Sequence, residues 1–599
     1  QYSYGVVVRG VVDDTMLKHW EMYCEFEKSL GFQASIYTNE PYYKADRKTT
    51  DLDTFYRYCC RDSAVTKEIS DKLNRCLTPG QFAHYKFNMT LLNPLLYMEN
   101  RGILYDVSAA AECLKIVDSH VAVLQDELDK LSDKGLPTFA SLPELLCKVQ
   151  SVMCWKKDVS IIKKDYVEIY PRIKQMIADA HNTSIPLTRE QLTYISIECE
   201  FSMNTKSPMF KELLYEKLLL PIQYKIDKET KEKKVTTDYA ALLRLQKLQP
   251  TRVVDLAIQI GLLRTRAQML HISADKDGRV RCGYNIVGTE TGRLTCYTSP
   301  TGSGYNLQTI PSEDHTKPEG HPLRMGMRHL FRADPGYHMF QCDLSGADGW
   351  TVAAHCAALG DRTLLDDYLA GIKPAKVLCY LLRHGANSLA GKTREEIKHL
   401  TKEVKKEDWD YFACKCGQHG SCYLMGPQAL ADLIFMQSEG TISLSSKDTK
   451  ELQYLFFIRY RVKLWHESTQ RKLKSDPSIT TINGYKRKFY GRPSEILGQA
   501  LAHEPQAVTT YATNLAMYKL WSDTENRITS NGRVTLRVEP LHQVHDALVG
   551  QFRIEDTAWA VDKIKSYFAN PLIIAGQKIT IPFEGNYGES WGNLKHELV

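Results

Sequence analysis

Apolar positions along the chain fall into short runs and helical stripes, and two of the runs end in an acid. Tyr337 to Cys342 is mostly apolar or aromatic and reads as a short buried strand. Asp343 follows it, then a small flexible turn, a second acid at Asp348, and an apolar run from Trp350 to Leu359 that reads as a helix. An aspartate at the end of a core strand is costly unless it is paired or holds a metal. One carboxylate cannot hold a catalytic metal pair, which directs attention to a second strand-borne aspartate. Leu541 to Val549 supplies it: two apolar arms flank His545-Asp546, as in a hairpin with Asp546 at its tip.

Other patterns predict helices. Residues 84–106 read as a long helix stopped at Asn100-Arg101-Gly102, with Gly102 suited to a left-handed end and Ile103 to Asp106 extended. Leu114, Val117, Val121, Leu124, Leu128 and Leu131 form an amphipathic stripe over 107–132. Lys415, His419 and Tyr423 are spaced to share one helix face. Asn483-Gly484 predicts a hairpin turn before a helix from about Glu495, and Asp227 to Lys234 is a charge run suited to a solvated loop tip.

Composition narrows the picture only modestly. With 599 residues, 43% hydrophobic and 25% charged, the chain can build several lobes around ample core. A net charge of +6 permits nucleic-acid binding without demanding it. Sixteen cysteines without regular spacing suggest a reducing compartment rather than a disulfide framework. No apolar run approaches the ~18 residues of a membrane span. Gln1 reads as a cut rather than a natural start.

The two acidic stretches resemble motifs A and C of family A DNA polymerases, the bacterial DNA polymerase I class, in a phage-type version. Lys415-Cys416-Gly417-Gln418-His419-Gly420-Ser421-Cys422-Tyr423 resembles the family's fingers-helix motif, and the three motifs keep the family's order. Thr291-Gly292-Arg293-Leu294-Thr295 and Asn306-Leu307-Gln308-Thr309-Ile310-Pro311 resemble two palm elements, and Phe583 to Trp591 resembles the family's C-terminus. The resemblance implies an α+β right-hand polymerase with an antiparallel palm sheet, helical fingers and thumb, and a remnant of an RNase H-like 3′–5′ exonuclease domain. Its divisions would be 1–80 exonuclease-like, 81–275 thumb, 276–354 palm, 355–490 fingers with the motif helix at about 408–425, and 491–599 palm.

The resemblance also implies roles. Asp343, Asp546 and the Leu344 carbonyl would hold two Mg²⁺ ions about 4 Å apart, with Mn²⁺ as a substitute. Lys415 would neutralise the triphosphate and protonate the leaving group. Asp348 stands at the family's glutamate, a steric gate against a 2′-OH. His419 would lie under the incoming base and Tyr423 at the template-side pocket. Arg293 and Gln506 would reach the minor groove, where acceptors are nearly the same for every base pair. Asn306, Gln308 and His545 complete the substrate-binding set. The implied partners are primer–template DNA and dNTPs, with no membrane and a location in the cytoplasm of a host. Phe201 to Pro208 resembles a thumb element that contacts the duplex backbone, and the extra chain at 137–197 stands where some phage members dock a processivity partner.

Several positions depart from the family pattern. Tyr411 stands for an arginine, Lys373-Pro374-Ala375 for Asp-x-His, Ala547 for the second motif C acid, and Ser312-Glu313 for a phosphate-binding arginine. Lys402, Lys405 and Lys406 could reorganise the phosphate grip, although a solvated basic face is the favoured reading. Tyr58 to Asp62 matches one exonuclease motif, but the partner carboxylates that metal-assisted hydrolysis needs are missing, so editing is not expected from this chain. Cys414, Cys416 and Cys422 superficially resemble a zinc site, but Cys414 and Cys416 would point apart on a helix, so buried cysteines are expected. Two further readings are a catalytically impaired DNA-binding relative and a single-subunit RNA polymerase. The acid at 348 and the Asn-Leu-Gln-Thr-Ile-Pro element favour DNA over RNA. Asp348 is one methylene shorter than glutamate, so Asp348→Glu is expected to raise discrimination against ribonucleotides in single-nucleotide insertion. An unchanged ratio contradicts the gate assignment.

Overall fold

The computed structural model describes residues 12–132, 164–183, 187–188, 191–192, 194–195, 202–227, 230–298, 304–314, 317–530 and 533–598. Its centre is a five-stranded antiparallel sheet of β1 (Tyr337–Leu344), β2 (Val538–Val544), β3 (Ala547–Arg553), β4 (Phe583–Gly588) and β5 (His596–Glu597). The spatial order is β2-β3-β1-β4-β5, so β1 is the middle strand. Phe340, Cys342 and Leu344 on one of its faces enter a large core shared with the helices. Met339, on the other face, joins a second core with Leu541, Val549 and Trp591. Both faces are therefore committed. A one-residue slip of β1 would exchange its two sets of side chains, so the register is strongly specified.

Helices that bear on the site and its supports include α1 (Leu52–Cys76), α2 (Pro79–Arg101), α3 (Val107–Leu131), α4 (Ala347–Ala358), α5 (Trp409–Cys422) and α6 (Pro493–Ser522), of which α2 and α6 pack on the central sheet. Helix α2 starts earlier than the sequence pattern predicts, because Thr78 and Gln81 form a capping box and Pro79 takes the first helical position. It stops at Gly102, whose φ of 62° suits the residue without a Cβ. Ile103–Tyr105 is then extended, as expected, and pairs with Arg279–Val280 and Phe331–Arg332. Helix α3 is capped by Asp106 and buries Val117, Val121 and Leu128. Leu131 is the exception in the expected stripe: at the last turn it is 48% exposed.

Short helices Thr15–Met22 and Leu30–Tyr37 pack with α1, and Trp20 anchors this region to the rest. Its ring stacks on Tyr485 at 4.3 Å and its Nε1 donates to the Thr289 carbonyl at 3.1 Å. Of the charge run at 227–234, Lys233 and Lys234 belong to an exposed ribbon of Tyr224–Ile226 and Lys233–Val235, and Lys228 and Glu229 lie outside the described residues. Most of the expected docking segment 137–197, and Phe201 of the duplex-contact element, lie outside the described residues. Within that segment, Lys164–Thr183 is a helix that buries Ile173, Ile177 and Ala180. No helix among the described residues is long and apolar enough to cross a membrane.

Gly550 lets β3 approach its neighbours. A Cβ there would lie 2.4 Å from the Glu539 carbonyl oxygen and 2.5 Å from the Phe340 ring. Gly550→Ala is expected to destabilise by about 1–3 kcal/mol through overpacking, read as a lower thermal midpoint. An unchanged midpoint would show that the strands can part without penalty.

Candidate active site

The β2–β3 turn is built from His545 and Asp546, because Val544 pairs directly with Ala547. His545 takes a φ of 53°, a left-handed conformation that costs a non-glycine residue roughly 1 kcal/mol. Asp546 is fixed from two sides: its carbonyl accepts from Thr513 Oγ1 of α6 at 3.2 Å and from the Leu344 amide of β1 at 3.4 Å. The hairpin tip is thereby tied to the end of β1, where Asp343 stands.

Register brings a third acid alongside. Asp343 pairs across β1–β3 with Ala547 and across β1–β4 with Glu584. Directly opposed residues share a sheet face. The carboxylate absent at Ala547 on one flank of Asp343 is thus matched by Glu584 on the other, a residue not singled out in the sequence as part of the site. Burial, then the charges of Asp546 and Glu584, push the Asp343 carboxyl up to about 6, while Lys415 and Arg328 pull it back. Glu584 moves the opposite way despite burial, because Lys373 and Lys406 hold it below its usual range. Lys373 Nζ reaches Glu584 Oε1 at 3.2 Å. Lys402, Lys405 and Lys406 are all exposed, in keeping with a solvated basic face, and the charge of Lys406 is felt at Glu584. Arg328 stacks over Trp591 at 4.6 Å and borders, with Gln341, Asp343 and Glu584, a cleft of about 360 Å³.

The acids fit hard divalent cations. Two carboxylates and a backbone carbonyl offer oxygen donors only, and the surplus negative charge that raises Asp343 is the charge a cation relieves. Asp343 and Asp546 on tied strand ends are the natural holders, with the Leu344 carbonyl beside them.

Helix α5 delivers the next group. Lys415 is exposed toward the acids, and its charge is felt at both Asp343 and His419. His419 and Tyr423 meet edge to face with centroids 4.9 Å apart. Tyr423 forms the C-cap rather than part of the helix. Burial keeps the His419 imidazole below its usual value, with Asp348 opposing and Arg293 and Lys415 reinforcing, so the ring is neutral at pH 7. Asp348, in the first turn of α4, accepts from Tyr423 Oη at 3.0 Å and from Thr509 Oγ1 of α6 at 2.7 Å. Three elements thus converge on the short acid and hold it in place. Thr509 was not foreseen. Gly349 leaves room for Tyr368, whose hydroxyl would lie 2.0 Å from an added Cβ and accepts from Gln418.

The remaining candidates divide. Arg293 lies close enough to bear on His419, Tyr423 and His545. Gln308 acts as a brace: its Nε2 donates to the carbonyls of Leu294 at 3.0 Å and Gln543 at 3.2 Å, joining the Arg293 loop to β2. Asn306 is exposed and caps the short helix Leu307–Thr309. Gln506 is half-buried on α6, one turn before Thr509 and Thr510. Asp62 is engaged by Lys44 and by the Tyr43 hydroxyl at 2.6 Å. Cys414 is held against Cys379 while Cys416 donates to Gln437 Oε1 at 3.4 Å, so the two point apart as the helical spacing predicts.

The family model for DNA polymerase family A matches residues 171–593, and the chain belongs to that family. It is similar to the DNA polymerase of Escherichia phage T5, with 23% identity over 335 residues covering 53% of this chain and 36% of that protein, so the match spans about a third of the curated relative. Among solved structures, the POL domain of Pol1 from M. smegmatis, in complex with DNA primer-template and dNTP, superposes with a TM-score of 0.65. Identity is 17%, covering 99% of this chain and 84% of that one. This likeness supports the expected α+β architecture.

The raised Asp343 carboxyl gives a signed expectation. Its folded value near 6 exceeds its unfolded value, so ionising it opposes folding: the native state binds more protons between about 4 and 6, and stability falls as pH rises through that window. In EDTA at pH 8, Asp343→Asn is expected to raise the thermal midpoint, by about 1 kcal/mol after allowing for solvent screening, with the gain vanishing near pH 4. Saturating Mg²⁺ should stabilise wild type and not the variant. A lower midpoint for the variant in EDTA at pH 8 contradicts the charge crowding.

Proposed function

We propose that this chain is a DNA-templated DNA polymerase that adds dNTPs to a primer 3′-OH, in phage replication. The observation that carries the reading is the union of Asp343 and Asp546 at tied strand ends, with the Lys415 charge reaching them. Two Mg²⁺ ions held by Asp343, Asp546 and the Leu344 carbonyl would supply activation of the 3′-OH and stabilisation of the departing pyrophosphate. Lys415 binds the triphosphate as a point charge and carries a proton that the leaving group can take. The neutral His419 offers a flat face to the incoming base without adding charge. Asp348, fixed by Tyr423 and Thr509, limits the space at the sugar 2′ position. Arg293 and Gln506 contact the minor groove at the primer end, beside His545. Glu584 holds Lys373 near the acids, with the charge of Lys406 close by, replacing part of the phosphate grip lost with Tyr411.

In this reading residues 81–275 are the thumb, 355–490 the fingers, and 276–354 with 491–599 the palm. Segment 137–197 docks a processivity partner, and the enzyme works in the host cytoplasm. The reading is supported by family membership, the order of the motifs and the fold.

Primer extension on a templated duplex with Mg²⁺ tests it, comparing dNTPs with rNTPs. Extension with dNTPs that falls to background in Asp343→Ala and Asp546→Ala is expected. Extension with rNTPs alone would favour an RNA polymerase, and inactivity of wild type a binding-only relative. Glu584→Gln is expected to raise the Mg²⁺ requirement by about tenfold while leaving synthesis measurable. An unchanged requirement would remove Glu584 from the site.

A further inference from the structure

On the same sheet face as Asp343, a different set of donors converges: His542 opposes Val549, which opposes Gln341, two residues before Asp343. Cys282 and Cys296 lie at the two sides of the Gly283–Asn285/Thr295–Tyr297 hairpin that carries Arg293 at its far end, and His542 lies on β2, four residues before Asp546. One ligand atom from each of the three lies within 4.8 Å of the other two. The sulfurs are 3.8 Å apart. Two thiolates bound to Zn²⁺ at about 2.3 Å in tetrahedral geometry stand about 3.8 Å apart, so this edge of the coordination polyhedron is already in place. His542 is fully buried. Its Nδ1 is bonded to the Tyr284 hydroxyl at 2.7 Å, while its buried Nε2 has no hydrogen-bond partner. A buried polar atom without a partner carries a desolvation penalty that a bound ion would relieve. Tyr284 plays the part usual for the outer partner of a metal-binding histidine, fixing the ring through its other nitrogen.

We propose that Cys282, Cys296 and His542 form a Zn²⁺ site with a water in the fourth position. The donor set separates it from the carboxylate site: thiolate and imidazole select a softer cation than Mg²⁺. Cys296 is only half-buried and leaves the side from which a water can enter. Binding converts two thiols to thiolates and releases their protons to solvent. The ion joins the Arg293 hairpin to the strand that leads into the Asp546 turn, the same two segments that Gln308 braces. The role is a structural staple beneath the minor-groove contact, and it does not depend on which nucleotide the enzyme uses.

The test is titration of the reduced, EDTA-stripped 599-residue chain with Co²⁺, followed by Zn²⁺. Expected are thiolate-to-cobalt charge transfer and intense tetrahedral d–d bands, saturating at about one equivalent and displaced by Zn²⁺ but not by Mg²⁺. The bands should be lost in Cys282→Ser and Cys296→Ser, each checked for folding by circular dichroism, and kept in Asp343→Ala. Bands that persist in folded serine variants would place the ion elsewhere and overturn the proposal. So would no charge transfer in wild type at saturating Co²⁺, a result that needs no variant to fold. A non-reduced mass two hydrogens lower, mapped to a Cys282–Cys296 disulfide in protein that takes up no Co²⁺ after reduction, would also overturn it.

Discussion

Like charges crowded at the end of a buried strand are the constraint on which this molecule depends. Asp343 and Glu584 come from adjacent strands and Asp546 from a hairpin turn, and their proximity is unfavourable until a cation or a basic side chain offsets it. Only a rigid support can hold such an arrangement. The central strand provides it, because its two faces enter separate cores and its ladder to both neighbours is continuous. The glycine at 550 lets one neighbour approach closely, and hydrogen bonds from Leu344 and Thr513 fix the tip that carries Asp546.

The surrounding helices then divide the electrostatic work. Helix α5 brings Lys415 toward the acids and sets a neutral His419 beside it. Tyr423 at the end of α5 and Thr509 of α6 hold Asp348 of α4 between hydroxyls instead of pairing it with a base. Cations at Lys373 and Lys406 are drawn to Glu584, so that flank is compensated while Asp343 is left wanting charge. A site that binds a cation-laden, polyanionic substrate needs this asymmetry: a strand end open to metal, flanked by groups that already favour phosphate.

Much of this was legible in the sequence where the signal is local. A strand that ends in an acid, a hairpin that offers one, and a lysine, ring and tyrosine on one helix are patterns of a few residues; the first two stand as expected, and of the third Lys415 and His419 lie in the helix while Tyr423 forms its C-cap. The α2–Gly102 stop was legible for the same reason. Glu584 was not, because its neighbourhood reads only as a chain end. Its meaning arises when β4 pairs with β1 and sets it opposite Asp343. Gln308 could be matched to a motif, but that it braces two backbones depends on the placement of β2. Thr509 and Lys406 are ordinary helix and loop residues until the fold carries them to the site. Cys282, Cys296 and His542 have no metal-ligand spacing, since a hairpin and a distant strand bring them together.

The pairing of Asp343 and Asp546 as one cation site, proposed above, is open to direct measurement. Mn²⁺ binding, followed by electron paramagnetic resonance on the primer–template complex, tests it most directly in wild type, Asp343→Asn, Asp546→Asn and the double variant. The account expects each single change to weaken binding by at least about tenfold, and the double to lose little more than the worse single, because groups that act on one ion are not additive. Full-strength binding in either single variant, or independent and additive losses, would contradict it.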